Sequence, residues 1–553
     1  PQLSHNFPST QSSDEVNFNA FLRPAISDVS SSQDLEPARA SCLSAQFLMN
    51  ESRENPASWR SLFIGKLGDA LADDMAGNAE TNTLHGFARR LVLEKYGKGW
   101  HYYPDMKAII DEDLATKGIK EEVGGEKYLE RANHYKGVGN ADVVWHAVRL
   151  CRDDPANIPK YDLILVDEFQ DFNEIEAAFI DLLATQNKML VVGDDDQALY
   201  EFKGSSPKYI RDRHHPSNPD WESHTLQFCG RCTDVVIKAF HAIVTHFKLN
   251  ELNPDRIKKE YVCFFSETES GGKQRDSELN PKICVMRNVK PGAIASFVRG
   301  RLSKMLRNQK VRTALVIGEA RSCQGLLEDT ARKLKEMGFR YVDHRTVAPK
   351  IFDFNEHLIS GYKILASEDN DPLAWRLISK LLSAKERTTL IQTHYTNATG
   401  FISNLPSDFR KVHSKNAGTL RKLIESTPSE RKQIADSTIN TLKSEVVVKS
   451  HTERQIFVDQ VVAEQSNLPR PLNSIEITVT NILGAKGLGA DVVFLVGFDQ
   501  GKFPSKPNVE TSEIYQMLVA LTRAKKRIYL MNTIGVEISQ FMSGIPADLV
   551  EVR

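Results

Sequence analysis

Four consecutive apolar residues, Leu163 to Val166, run straight into Asp167 and Glu168 within the segment YDLILVDEFQD. Unbroken apolarity, rather than alternation, is what a strand covered on both faces requires, and such strands belong to parallel sheets sandwiched by helices. The run therefore predicts an α/β layer structure. Carboxylates at the C-terminal end of such a strand stand in the crevice where open parallel sheets bind ligands. Asp167 is placed there to hold a divalent cation such as Mg2+ on a nucleotide, and Glu168 to polarise an attacking water. An apolar strand ending in two acids also describes an ordinary solvated turn, so the next segment matters. A second strand-like run, Met189–Val192, ends in Gly193-Asp194-Asp195-Asp196-Gln197 and continues as ALYEFKGSS. An acidic turn beside a glutamine and two aromatics, Tyr200 and Phe202, reads as a phosphate sensor next to a base-stacking platform.

Further blocks are spread along the chain. Phe63-Ile64-Gly65-Lys66 leads into LGDALADDM, and Thr83-Leu84-His85-Gly86-Phe87-Ala88 follows. Cys229-Gly230-Arg231-Cys232 comes after the GDDDQ block, and Asn481-Ile482-Leu483-Gly484-Ala485-Lys486-Gly487-Leu488 precedes DVVFLVGFDQGKFP. The last block is Leu518-Val519-Ala520-Leu521-Thr522-Arg523-Ala524-Lys525. With DEFQD and GDDDQALYEFKG, these segments resemble, in order and spacing, the motifs of the UvrD/Rep/PcrA helicases of superfamily 1, from roughly residue 60 to 530.

That resemblance implies two RecA-like, P-loop NTPase-type α/β domains with parallel sheets, each carrying a helical insertion. It implies an ATP-dependent DNA helicase or translocase that moves 3′→5′ on single-stranded DNA and opens duplex junctions, with ATP and Mg2+ as cofactors. Residue by residue, Asp167 matches the metal ligand, Glu168 the water-polarising acid and Gln197 the γ-phosphate sensor. Arg231 and Arg523 match the arginines that reach the γ-phosphate, and Gly487 falls in a nucleotide-binding motif. Thr83, His85, Phe87, Tyr200, Phe202 and Lys486 fall on the implied DNA path. Two arginines so far apart in sequence can clamp one triphosphate only if two lobes close around it. A guanidinium forks onto phosphate oxygens and is always charged, so it suits that task better than lysine.

The sequence divides accordingly. Residues 1–58, rich in Ser, Asn, Gln and Pro, read as an atypical and poorly ordered segment. Residues 59–91 and 160–228 make the first core, interrupted by a helical insertion at 92–159. Residues 229–349 and 451–553 make the second core, interrupted by a helical insertion at 350–450. Within it, Asp234–His246 reads as a helix, Ile283–Met286 and Ala314–Ile317 as strands, and QGLLEDTARKLKEMG as a helix stopped by Gly338.

Composition leaves this open. A hydrophobic content of 41% and a charged content of 26% suit a globular protein of several domains. The net charge of −1 supplies no overall basic field, but a motor tracking one strand needs a local basic groove rather than a basic surface. Seven scattered cysteines fit a reducing compartment, and no apolar run reaches membrane-span length. The expectation is a soluble intracellular protein, cytoplasmic or nucleoid-associated, or nuclear in a eukaryote. The CGRC spacing would suit redox or zinc chemistry, yet no second ligand pair at metal spacing accompanies it.

One element is missing. No GxxxxGK[ST] loop occurs anywhere, and the family pattern puts it at about residues 25–40, where AISDVSSSQDLEPARA has no glycine. The family's adenine-stacking Tyr corresponds to Gly230, and the Glu after KGL to Gly489. Two functional classes follow: a motor that holds nucleotide unusually, or a non-hydrolysing helicase-like protein that binds DNA or serves as a scaffold.

Overall fold

The computed structural model describes residues 45–49, 80–200, 204–226, 228–263, 272–345, 354–425 and 470–553. In chain order the strands are β1 Ala45–Met49, β2 Glu80–Thr83, β3 His101–Tyr102, β4 Gly137–Val138, β5 Leu163–Asp167, β6 Met189–Val191, β7 Phe228–Cys229 and β8 Val262–Cys263. They continue as β9 Ile283–Val289, β10 Thr313–Gly318, β11 Tyr341–Arg345, β12 Glu476–Asn481, β13 Ala490–Val496, β14 Ala524–Thr533 and β15 Val550–Val552. Two main sheets result, one of four strands in the order β2-β1-β5-β6 and one of seven in the order β11-β12-β10-β13-β14-β9-β15. Every pairing in both sheets is parallel.

The seven-stranded sheet is the core of the second lobe. Alternate side chains serve its two faces: Val493 and Leu495 of β13 join one apolar cluster, while Val492, Phe494 and Val496 join the other. Both faces are thus dry, which accounts for the uninterrupted apolar run DVVFLV. The motif helix Asp234–His246 forms over the expected residues, as does Gln324–Glu336, which ends before Gly338 at φ +87°.

The four-stranded sheet begins earlier than the sequence predicts. β1 lies between β2 and β5, with Met49 opposite Asp167. It falls inside the 1–58 segment, so the first core starts upstream of residue 59. Residues 25–40, where the family pattern puts the phosphate loop, and residues 50–58, which follow β1 in sequence, lie outside the described residues. The sequence that follows β1, Asn50-Glu51-Ser52-Arg53-Glu54-Asn55-Pro56-Ala57-Ser58, contains no glycine and no lysine.

The insertion expected at 92–159 is narrower than its sequence boundaries. Val143, Val144, Ala147, Val148 and Cys151 of the helix Val143–Asp153 are buried in the first-lobe core with Leu84, Phe87, Leu91, Phe179 and Leu183. The remaining helices, Met106–Thr116 and Glu126–Tyr135, share one apolar core with the second-lobe insertion. Tyr103, Met106, Ile109 and Tyr128 there meet Leu358, Leu373, Trp375 and Ile378. A buried ion lattice crosses the same seam. Arg376, 0% exposed, donates from Nε to Asp113 Oδ1 at 2.9 Å and from Nη2 to Glu112 Oε2 at 2.9 Å. Arg387 and Lys380 also reach Glu112, at 2.7 and 3.0 Å, and Arg131 pairs with Asp113. The two insertions form one accessory body. No helix among the described residues is long and apolar enough to cross a membrane.

Candidate functional site

β5 delivers the first acids. Ile164, Leu165 and Val166 are buried, and Asp167 ends the strand half-buried. Glu168 then turns the chain through the left-handed region, at φ +54°, a conformation a non-glycine residue adopts at some cost. Burial, reinforced by the adjacent Glu168 carboxylate, pushes the Asp167 carboxyl up to about 7. A pair of close carboxylates repelling each other at a strand end is a donor set that suits a hard divalent cation.

Gln170, which the sequence reading passed over, ties this corner to the next. Its Nε2 donates to Glu168 Oε2 at 2.6 Å, and its Oε1 accepts from the Asp194 N–H at 3.0 Å. The loops approach so closely that a Cβ on Gly193 would lie 2.5 Å from Gln170 Oε1. Its signal was its place inside DEFQD.

The three aspartates after β6 do not form an open acidic turn. Lys259 contacts all of them, at 2.8 Å to Asp194 and 2.9 Å to Asp196, with Asp195 paired as well. Arg256 forks onto Asp196 at 2.7 and 2.5 Å, and Arg211 reaches Asp195 at 2.7 Å. Although burial would raise it, the Lys259 ammonium holds Asp194 down at about 2. The ammonium stands where a metal ion would otherwise sit, so the triplet is an ion-paired support. The signal available in sequence was physical: three adjacent acids cannot be buried without cations.

Residues of the second lobe complete the corner. Arg523, 1% exposed, donates from Nη2 to Gln197 Oε1 at 2.9 Å and from Nη1 to the Leu488 carbonyl at 3.1 Å. Gln197 Nε2 donates onward to Asp194 Oδ2 at 2.6 Å. Burial and the charge of neighbouring Arg231 lower the Arg523 guanidinium to about 10. Arg231 is exposed, and its Cδ lies 3.7 Å from where a Gly489 Cβ would be. Asp167, Glu168, Gln197, Arg231 and Arg523 therefore gather at one seam between the lobes. Gly487, at φ +77° and exposed, turns the same loop.

The expected DNA residues scatter more. Lys486 is not on an open path: its side chain is 6% exposed, and Nζ donates to Asp171 Oδ2 at 2.6 Å and to the Gln197 carbonyl at 2.7 Å. It lies 3.5 Å from Glu168 Oε2 and 5.6 Å from the Tyr200 ring centroid. Phe87 is 1% exposed against Tyr161 and Phe179. It belongs to the stripe Leu84, Phe87, Ala88, Leu91 and Val92, whose helical spacing required a core position. Thr83 caps that helix by accepting the Gly86 N–H at 3.0 Å, and His85 Nδ1 lies 3.9 Å from Glu176. Tyr200 packs at the Lys486 ammonium, while Phe202 and the Phe63–Lys66 element lie outside the described residues.

Comparison with known proteins agrees with this arrangement. Residues 125–217 match the UvrD/REP helicase N-terminal domain, and residues 375–534 match the UvrD-like helicase C-terminal domain. The chain is similar to the ATP-dependent DNA helicase PcrA of Leuconostoc citreum, 22% identical over 520 residues, covering 81% of this chain and 66% of that protein. It is similar to DNA helicase II of Escherichia coli K12, 23% identical over 478 residues, covering 77% and 65%. A probable DNA helicase II homolog of Mycoplasma capricolum is 23% identical over 441 residues, covering 71% and 59%. The chain thus spans about six-tenths of the length of the curated relatives it matches. The first match contains DEFQD and GDDDQ, and the second contains the Lys486 and Arg523 blocks. On two RecA-like lobes, the chain thus carries both domains of the UvrD-like helicases, in order.

Proposed function

We propose that this chain is an ATP-dependent DNA helicase or translocase that couples hydrolysis to 3′→5′ movement on single-stranded DNA and to unwinding at duplex junctions. The observation that carries the reading is the bond between Arg523 and Gln197, made from opposite lobes beside the paired acids Asp167 and Glu168. Nucleotide bound there would supply the phosphoryl group for transfer to water. Asp167 would hold its Mg2+, and Glu168 would orient and deprotonate the water. Arg523 and Arg231 would neutralise charge on the γ-phosphate side, a contribution that dominates phosphoryl transfer. Gln197 would report the occupant to both lobes, since it already bridges Arg523 and Asp194. DNA contacts fall to Thr83, His85, Tyr200 and Phe202.

The metal and γ-phosphate ends of the site fit such a ligand. For the α/β-phosphate end the sequence supplies no usual cradle: no GxxxxGK[ST] occurs, and residues 25–40 hold no glycine. That observation favours a second reading, a non-hydrolysing helicase-like protein that binds DNA or acts as a scaffold. DNA-stimulated ATP turnover, compared between wild type and Glu168→Gln, decides between them. The motor reading expects turnover in wild type and its loss in the variant. Equal, background rates for both with single-stranded DNA present would sink it. Phe202→Ala should weaken single-strand binding by about 1–3 kcal/mol, the worth of one stacked base.

A further inference from the structure

The CGRC segment carries chemistry that the family role of Arg231 leaves unused. β7 ends at Cys229 and pairs with β8 so that Cys229 and Cys263 are in register. The chain then bends through Gly230 and Arg231 to Cys232, which immediately precedes Thr233, the N-cap of the helix Asp234–His246. The Cys229 sulfur interacts with the Cys232 thiol and with the backbone of Cys232 and Arg231. Cys263 Sγ donates to the Cys232 carbonyl at 3.4 Å, and Cys232 Sγ donates to the Thr522 carbonyl at 3.5 Å, one residue before Arg523. Cys229 is half-buried and Cys232 fully buried. Isolated core cysteines are inert, as Cys151, Cys284 and Cys323 should be in this chain. Two interacting thiols on a C-x-x-C bend between a strand end and a helix N-cap, with a third thiol bonded to that bend, are placed differently.

We infer that Cys229 and Cys232 form a reversible dithiol–disulfide site for peroxides, and that the disulfide closes the bend that carries Arg231. The Cys232 thiol and the backbone donors lower the Cys229 thiol to about 6, so it is largely thiolate at neutral pH. Cys232, by contrast, is pushed well above the usual thiol range by its bond to Cys229 and by burial, and burial pushes Cys263 up to about 11. Cys229 is therefore the attacking sulfur and Cys232 the resolving one. In the first step the Cys229 thiolate attacks a peroxide oxygen; the S–O bond forms, the O–O bond breaks, and the departing oxygen takes up a proton as water. In the second, Cys232 attacks the sulfenic sulfur, the S–S bond forms and a second water leaves. One hydrogen peroxide is reduced to two waters and two thiols are oxidised to one disulfide. Because Arg231 lies inside the closed ring and Cys232 touches Thr522, the bond constrains both γ-phosphate arginines. That consequence rests on the function proposed above; the thiol chemistry does not.

Trypsin offers a direct readout, since it cleaves after Arg231 and so separates the two cysteines. The full chain, reduced and then exposed to equimolar hydrogen peroxide, is blocked with N-ethylmaleimide, digested without reductant and mapped by mass spectrometry. The expected result is a linked pair joining the peptide that ends at Arg231 to CTDVVIK, formed in most molecules and released by a phosphine reductant. Cys232→Ser should leave a sulfenic acid at Cys229 that dimedone traps. Iodoacetamide at pH 7 should label Cys229 in the reduced wild type about tenfold faster than an unperturbed thiol. A free Cys229 after peroxide, or a Cys229–Cys263 pair in its place, overturns the assignment. No nucleotide enters this test, so its failure and a failure of the ATPase reading are told apart. The wild-type map decides even if a variant misfolds.

Discussion

The seam between the two lobes and the seam between the two insertions use the same side chains in different surroundings. Between the lobes, Arg523 meets Gln197, Lys486 meets Asp171 and Arg211 meets Tyr515. Leu199 is the one buried first-lobe side chain among the described residues of the second-lobe core. Between the insertions, Arg376 and Arg131 meet Asp113 beneath a continuous apolar core around Trp375, Leu373 and Ile109. Lys259 and Arg256 also meet the buried Asp195 and Asp196 across the first seam. Parting that seam would separate ion pairs but expose little apolar surface, whereas parting the second would open a continuous apolar core.

Three substitutions bear on that contrast. Arg376→Ala should have the largest effect, because it leaves Asp113 and Glu112 short of a buried cation. A loss of about 3–5 kcal/mol is expected in urea unfolding, and a change under 1 kcal/mol would show that this pairing does little to hold the accessory seam. Glu112→Gln comes next. Burial would raise the Glu112 carboxyl, but Arg376, with help from Arg387 and Lys380, holds it at about 2. Its folded value is depressed, so its contribution is complete above the unfolded value of about 4.3 and disappears as pH falls toward 2. The variant should therefore be less stable by roughly 1–3 kcal/mol at pH 7, with the two stability curves converging on acidification. Parallel curves from pH 7 to 2 would remove Glu112 from the lattice. Tyr515→Phe should do least, about 0.5–1.5 kcal/mol for one hydrogen bond from Arg211. Calorimetry should register it as a small shift, and a loss as large as that of Arg376→Ala would erase the distinction.

Which parts were legible follows from the range of the forces involved. The strand ending at Asp167, the strand over Ile283–Met286 (which runs on to Val289) and the helices Asp234–His246 and Gln324–Glu336 are local patterns, and apolar runs and periodicity with stop signals found them. Asp167, Glu168, Gln197, Arg231 and Arg523 could be grouped because their motifs are short and ordered. What a side chain meets across the fold was not legible. Nothing near Asp194 indicates Lys259, and nothing in Lys486-Gly487 indicates that the ammonium turns inward to Asp171. An amphipathic helix shows that it has an apolar face but not whose face covers it, so two insertions were expected where one body formed. Phe87 was a different kind of miss: its motif outweighed a stripe already visible in the sequence.

The shared accessory body also has a mechanical consequence. The body packs around one core, and the lobes touch each other directly at the seam of Arg523 and Gln197. Lobe, body, lobe and seam make a closed linkage with one stiff member. Sliding one lobe past the other would have to shear the core around Trp375, while pivoting would not. A motion that parts Arg523 from Gln197 and leaves that core intact must therefore pivot about the body, as the jaws of a caliper turn about a common pin.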